Sequence, residues 1–171
     1  GNGTDGSTTF TDDATTPKTY TVFGDAQIST AQKKFGSASM KFDGAGDYLT
    51  TAAHADFDLS GSDYTVECWV RFAAVSAAPH VFQLGTSLCA RMALFLSSGQ
   101  LYFYNGISYA TGFSPVINQW YHLALVKQGN MYYVLVDEPT QGDICGYSLE
   151  LTITRAFPTA VTLLTPANGA L

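Results

Sequence analysis

The run Tyr64-Thr65-Val66-Glu67-Cys68-Trp69-Val70-Arg71-Phe72 alternates between two kinds of side chain without a break. On an extended backbone Val66, Cys68, Val70 and Phe72 fall on one side. Glu67, Trp69 and Arg71 fall on the other, less apolar side. Period-2 patterning of this kind marks a half-buried β-strand, and 63–73 is the longest strand expected in the chain. Cys68, on the apolar side, reads as a small thiol filling core space.

The same period recurs on both sides of this run. Upstream, Ala38, Met40 and Phe42 share a face within 37–43. The turn Gly44-Ala45-Gly46 follows, and 47–51 resumes as its expected hairpin partner. Downstream, strands are expected at 80–84, 91–96 and 100–104, with Ser97-Ser98-Gly99 as a tight hairpin turn between the last two. Residues 120–127 and 131–137 form another hairpin around Gln128-Gly129-Asn130. Residues 147–155 alternate cleanly, and 160–164 add a short terminal strand. Thr30–Lys34 and Ala52–Asp56 are the helical candidates, each of about one turn. Short strands with turn signals every 8–12 residues or so predict an all-β, antiparallel two-sheet β-sandwich. With no linker, repeat or charge block, 1–171 reads as a single domain.

Composition agrees with that class. The 171 residues are 46% hydrophobic and 13% charged, with 10 Tyr and 11 Phe. So little charge and so many aromatics exclude intrinsic disorder and disfavour long surface helices. A net charge of −6 with only eight Lys and Arg argues against nucleic acid as a partner, since phosphates need clustered cations. No apolar run approaches the roughly 18 residues of a membrane span. Cys68, Cys89 and Cys145 cannot all pair within one molecule; Cys89 and Cys145, both in loop-like sequence, are the pair left open for a disulfide. The start, Gly1-Asn2-Gly3-Thr4, carries no leader-like segment and reads as a mature product or a piece of something longer. Asn2-Gly3-Thr4 is a weak glycosylation sequon.

Several segments occur in a familiar order: Asp5-Gly-Ser-Thr-Thr-Phe-Thr-Asp12, 26–36, Met40-Lys-Phe-Asp-Gly44 with Gly46-Asp-Tyr-Leu49, Asp56-Phe-Asp58, 64–72, and 119–127 with Gly129-Asn130. The series resembles the laminin-G-like, concanavalin A-like jelly roll (the lectin–glucanase type), in the version common in tail and virion proteins of bacterial viruses. The resemblance covers 5 to about 137. Two departures stand out. The apolar strand usual ahead of the Asp-Gly-Ser segment is replaced by Gly1–Thr4, and the hairpin usual after Asp137 is missing before the closing strand. Bare sheet margins invite pairing with another chain, so a homo-oligomer, or neighbouring virion or filament subunits, is expected to complete the sheet.

The resemblance also raises the question of catalysis, because the fold houses glycoside hydrolases. Those need two carboxyl groups about 5–9.5 Å apart across the scissile bond. Glu67 and Glu150 are each alone on their strands, beside Arg71 and Arg155, and read as surface carboxylates. His54, His80 and His122 lack a nucleophile motif and read as structural, His122 as the outward member of its strand. No enzyme is expected.

For metals, Zn lacks short paired ligand spacing. Ca2+ fits the family better, since such domains often hold it on a rim loop. Asp43, Asp47, Asp137 and Asp143 are the candidate ligands, while Asp56 and Asp58 are expected to brace the turn at Phe57. For glycan, Tyr102, Tyr104 and Tyr109 cluster around Asn105 and offer rings for stacking. The functional expectation is a non-enzymatic structural or adhesive domain of a virion (tail fibre, spike or decoration protein) or extracellular filament. A carbohydrate-binding module for host or cell-surface glycans is the alternative. The expected location is a virion surface or the extracellular space.

Overall fold

A computed structural model describes residues 2–59, 62–76, 78–85 and 92–137, together with the backbone of 150–154 and 162–164. Glu150, Asp143, Arg155, Cys89 and Cys145 lie outside the residues whose side chains are described. The described chain is all-β and antiparallel, apart from a single 3-10 turn at Ala55–Phe57 within the expected turn region. Among the described residues no helix is long and apolar enough to cross a membrane. The chain divides into two compact units, Gly1–Phe57 and Asp58–Leu171.

In the N-terminal unit, β1 (Tyr20–Phe23) pairs with β4 (Tyr48–Thr51), and β2 (Gln27–Ser29) pairs with β3 (Ser39–Lys41). The hairpin expected between 37–43 and 47–51 is therefore not formed. The reason is the side chain at the end of its turn. The Asp47 carboxylate accepts the Asp43 N–H through Oδ2 (2.7 Å) and the Asp25 N–H through Oδ1 (2.8 Å). Asp43 Oδ1 in turn accepts the Ala45 N–H. The bond to Asp43 takes up a donor that a β3–β4 ladder would use, and the bond to Asp25 ties the turn to the β1–β2 corner. Gly24 makes that corner possible: its φ is +70°, and a Cβ there would collide with Asp47.

Residues 30–34 do not turn into a helix either. The Thr30 N–H is held by Asp5 Oδ1 at 2.8 Å, and the Gln32 carbonyl accepts the Ser39 hydroxyl. Asp5 also accepts the Thr30 hydroxyl, and these bonds hold its carboxyl below the usual range. Gly6 and Ser7 exchange backbone bonds with Ile28. The Asp-Gly-Ser segment thus works as a brace laid along β2. Ala26, Ile28 and Ala38 are the buried apolar residues of this unit.

The C-terminal unit holds two sheets. The five-stranded sheet runs β13-β12-β11-β10-β5, from β5 (Tyr64–Arg71), β10 (Trp120–Gln128), β11 (Met131–Asp137), β12 (Glu150–Thr154) and β13 (Thr162–Leu164). The four-stranded sheet runs β6-β7-β8-β9, from β6 (His80–Leu84), β7 (Met92–Ser97), β8 (Gln100–Tyr104) and β9 (Ser108–Ala110). Alternation decides what each strand buries. Tyr121, Leu123 and Leu125 of β10 and Val134 and Val136 of β11 meet Leu94, Leu96, Leu101 and Phe103 of the other sheet in one core. The β7–β8 turn is tight because Ser98 and Gly99 both take positive φ, +50° and +76°. Cys68 packs half-buried from β5, and burial pushes its thiol up to about 11. That is the inert core thiol expected from the sequence.

Polar groups at the core margin are paired. Thr111 is fully buried; its hydroxyl donates to the Leu101 carbonyl (2.8 Å) and accepts the Phe113 N–H (3.1 Å). The Tyr121 hydroxyl accepts the Val116 N–H at 2.8 Å, and its ring meets Phe113 edge-on at 5.1 Å. These bonds fold the 111–118 connection down over the open end of the sandwich, where bare donors would otherwise be stranded.

Candidate functional site

Register across the four-stranded sheet sorts its side chains into inward and outward rows. Phe82, Leu94, Phe103 and Tyr109 are opposed in succession across β6, β7, β8 and β9 and belong to the core side. His80, Phe95, Tyr102 and Ala110 form an outward row on the same four strands. Gln83, Ala93, Tyr104 and Ser108 form the second outward row by register, with Ala93 buried at 2% exposure. A bulge between His80 and Phe82 keeps His80 in line with Phe95.

The first outward row is a stack. His80 and Phe95 lie 5.2 Å apart at 16° between planes, and Phe95 and Tyr102 lie 5.6 Å apart at 27°. The row ends at Ala110, whose methyl leaves the second face of Tyr102 without an opposing ring. Beside Tyr102 in the second row are Tyr104 on the same strand and Ser108 on β9, while Gln83 lies two strands away on β6. His80 is exposed, and Phe95, Tyr102, Tyr104 and Gln83 are half-buried. Flat apolar faces bordered by hydroxyl and amide groups match a sugar ring, which is apolar on one side and hydroxylated at its rim.

The glycan residues expected from the sequence are thus divided. Tyr102 and Tyr104 share the outward face, with Asn105 at the β8–β9 turn beyond them. Tyr109 points the other way and stacks on Phe103 at 6.4 Å inside the sandwich. His80, Phe95 and Gln83 belong to the face and were not singled out. The signal for Phe95 was available: counting outward from the Ser98-Gly99 turn sets it opposite Tyr102.

The acidic candidates are divided as well. Asp43 and Asp47 come together with Asp25, their oxygens within 4.8 Å of one another. Asp137 belongs to the other unit, where it closes β11 opposite His122. Carboxylate oxygens are the hard donors that Ca2+ takes, about six to eight oxygens at a time, and Asp25, Asp43 and Asp47 would supply three of them. Asp47 already serves as the acceptor for two backbone donors. Those bonds hold its carboxyl below the ordinary range, whereas Asp25, hydrogen-bonded to Asp47 and facing the charges of Asp43 and Asp47, is raised.

The two shifts act on stability with opposite signs. Asp47 contributes stability above its unfolded value near 3.8, lost as pH falls through its lowered folded value. Asp25 favours the folded state only while protonated, and that contribution is lost as pH rises through its raised folded value. In calcium-free buffer, Asp25→Asn is therefore expected to raise the melting temperature at pH 7, with the gain vanishing near pH 3. Asp47→Asn is expected to lower it at pH 7. Thermal unfolding of both variants at the two pH values checks the signs.

Elsewhere, Lys18 Nζ pairs with Asp56 at 2.6 Å and Asp56 with His54 Nδ1 at 3.1 Å, the bracing role expected for Asp56. On the five-stranded sheet, His122 is outward as expected. It stacks on Trp69 at 5.2 Å, with Nε2 at 3.3 Å from Glu67.

An antiparallel sandwich whose two sheets share one core and whose outward face carries a row of rings has the architecture of a lectin-like jelly roll. The chain belongs to the concanavalin A-like lectin/glucanases superfamily, whose Laminin_G_3 family model matches residues 43–143. Searches among curated proteins and among solved structures found no match.

Proposed function

We propose that the chain is a non-enzymatic adhesive domain that acts through surface contacts and holds glycan on the outward face of β6–β9. The observation that carries this is the stacked row His80–Phe95–Tyr102, which ends at Ala110 beside the Tyr104–Ser108 pair of the next outward row. Rings stacked on one another resist displacement, so the terminal ring is preorganised for a ligand. Membership of a lectin and glucanase superfamily agrees with such a ligand. Against hydrolysis stands the absence of a strand-borne carboxylate pair in the sequence, together with the surroundings of Glu67, whose carboxylate lies 3.3 Å from His122 Nε2. Within this proposal the domain serves a virion component (tail fibre, spike or decoration protein) or an extracellular filament; its support is the resemblance of residues 5–137 to such domains and the low charge content. The test is a glycan array probed with the whole chain. Binding to a discrete set of glycans, competed by the free sugar, is the expected result. An array without signal above background at high protein concentration would overturn it.

A further inference from the structure

Strand β5 bounds the five-stranded sheet: β10 pairs with one side of it, and no described strand pairs with the other. Edge strands are commonly short, bulged or interrupted by proline, which discourages pairing with a second chain. β5 has eight residues, contains no proline, and pairs with β10 in unbroken register from Arg71↔Trp120 to Tyr64↔Lys127. Its outward side chains carry an acid two positions before Trp69 and a base two positions after it. The Glu67 side chain is 60% exposed, with one oxygen 3.3 Å from His122 Nε2 and the rest of the carboxylate open to solvent-side partners. Arg71 spends its Nε on the Asn118 carbonyl at 3.0 Å, and a guanidinium carries further N–H donors besides that one.

We propose that a second copy of this chain pairs antiparallel with the open side of β5, about a twofold axis at Trp69. Each Glu67 then faces the partner's Arg71 across a central pair of Trp69 side chains, and Cys68 faces the partner's Val70. This rests on the adhesive reading above and names one partner for it. The register is selected by chemistry. A shift of one residue sets inward side chains against outward ones. An axis at Glu67 or at Arg71 opposes like charges, and an axis at Cys68 sets Arg71 against the partner's Thr65. Of these, the axis at Trp69 alone matches acid to base on both halves. The contact is isologous and closes as a dimer, not a fibre, with main-chain bonds along the edge and charge pairs fixing the register.

The experiment is sedimentation equilibrium on the whole chain, with circular dichroism to show that each variant keeps its strand signal. The wild-type chain is expected to sediment at twice the chain mass. Glu67→Arg and Arg71→Glu each set like charges across the axis and are expected to weaken the dimer about tenfold or more. Mixing the two variants in equal amounts restores opposite charges on both halves and is expected to restore the dimer. Glu67→Gln and Arg71→Gln, milder changes, are expected to weaken it less. A wild-type chain monomeric at all concentrations would overturn the proposal, as would a dimer indifferent to both charge reversals. A monomer that still binds array glycans overturns only the pairing of β5, whereas a dimer blind to glycans overturns only the glycan reading.

Discussion

Phe103→Ala is expected to cost about 3–5 kcal/mol of folding stability. Phe103 is fully buried on the inward side of β8, between Tyr109 at 6.4 Å and the Tyr132 ring at 5.3 Å. It touches both sheets, so its removal opens a cavity at their interface, where the backbones on either side are held by ladders and cannot collapse inward. Against the roughly 5–15 kcal/mol that holds a typical domain together, the loss is about a fifth or more. Urea unfolding followed by tyrosine fluorescence measures it. Phe95→Ala, one strand over on the outward face, removes a half-buried ring and its stacking on His80 and Tyr102, for which about 1 kcal/mol is expected. Equal losses at the two positions would contradict the division into inward and outward rows.

That division shows how far the sequence could be read. The strands at 64–71, 80–84, 92–97, 100–104, 120–128 and 131–137 were legible because each alternates over several residues, and 92–97 joins 100–104, as 120–128 joins 131–137, through a turn with its own residue signature. The pairings of β3 and β4 were not. Their connection has every mark of a hairpin turn, yet the Asp47 carboxylate binds backbone donors at 25 and 43 and sends the two strands to different partners. β1, β2 and β9, of three or four residues, fall below the length at which alternation can be seen. The candidate sites suffered for the same reason. Asp25 joins Asp43 and Asp47 only through the β1–β2 corner. Tyr109 lies near Tyr102 and Tyr104 in sequence, but Tyr104 pairs with Ser108, and that one pairing turns Tyr109 into the core.

The second large effect follows from that pairing. Tyr102→Ala removes the terminal ring of the outward stack and with it the surface on which a sugar would lie. The expected loss is about tenfold or more in glycan affinity, the equivalent of one well-covered side chain. Folding should be little affected, since the ring is half-buried on the outer side of the sheet. Tyr109→Ala should do the reverse. It strips a ring from Phe103 and is expected to cost about 2 kcal/mol or more of stability. The outward stack stays intact, so affinity is retained at temperatures where the variant is folded.

Calorimetric titration of an array-selected oligosaccharide into the wild-type chain, Tyr102→Ala and Tyr109→Ala at such a temperature tests the central claim most directly. Heat of binding lost with Tyr102 and kept without Tyr109 is the predicted result; affinity unchanged by Tyr102→Ala, or abolished by Tyr109→Ala in a folded protein, would contradict it.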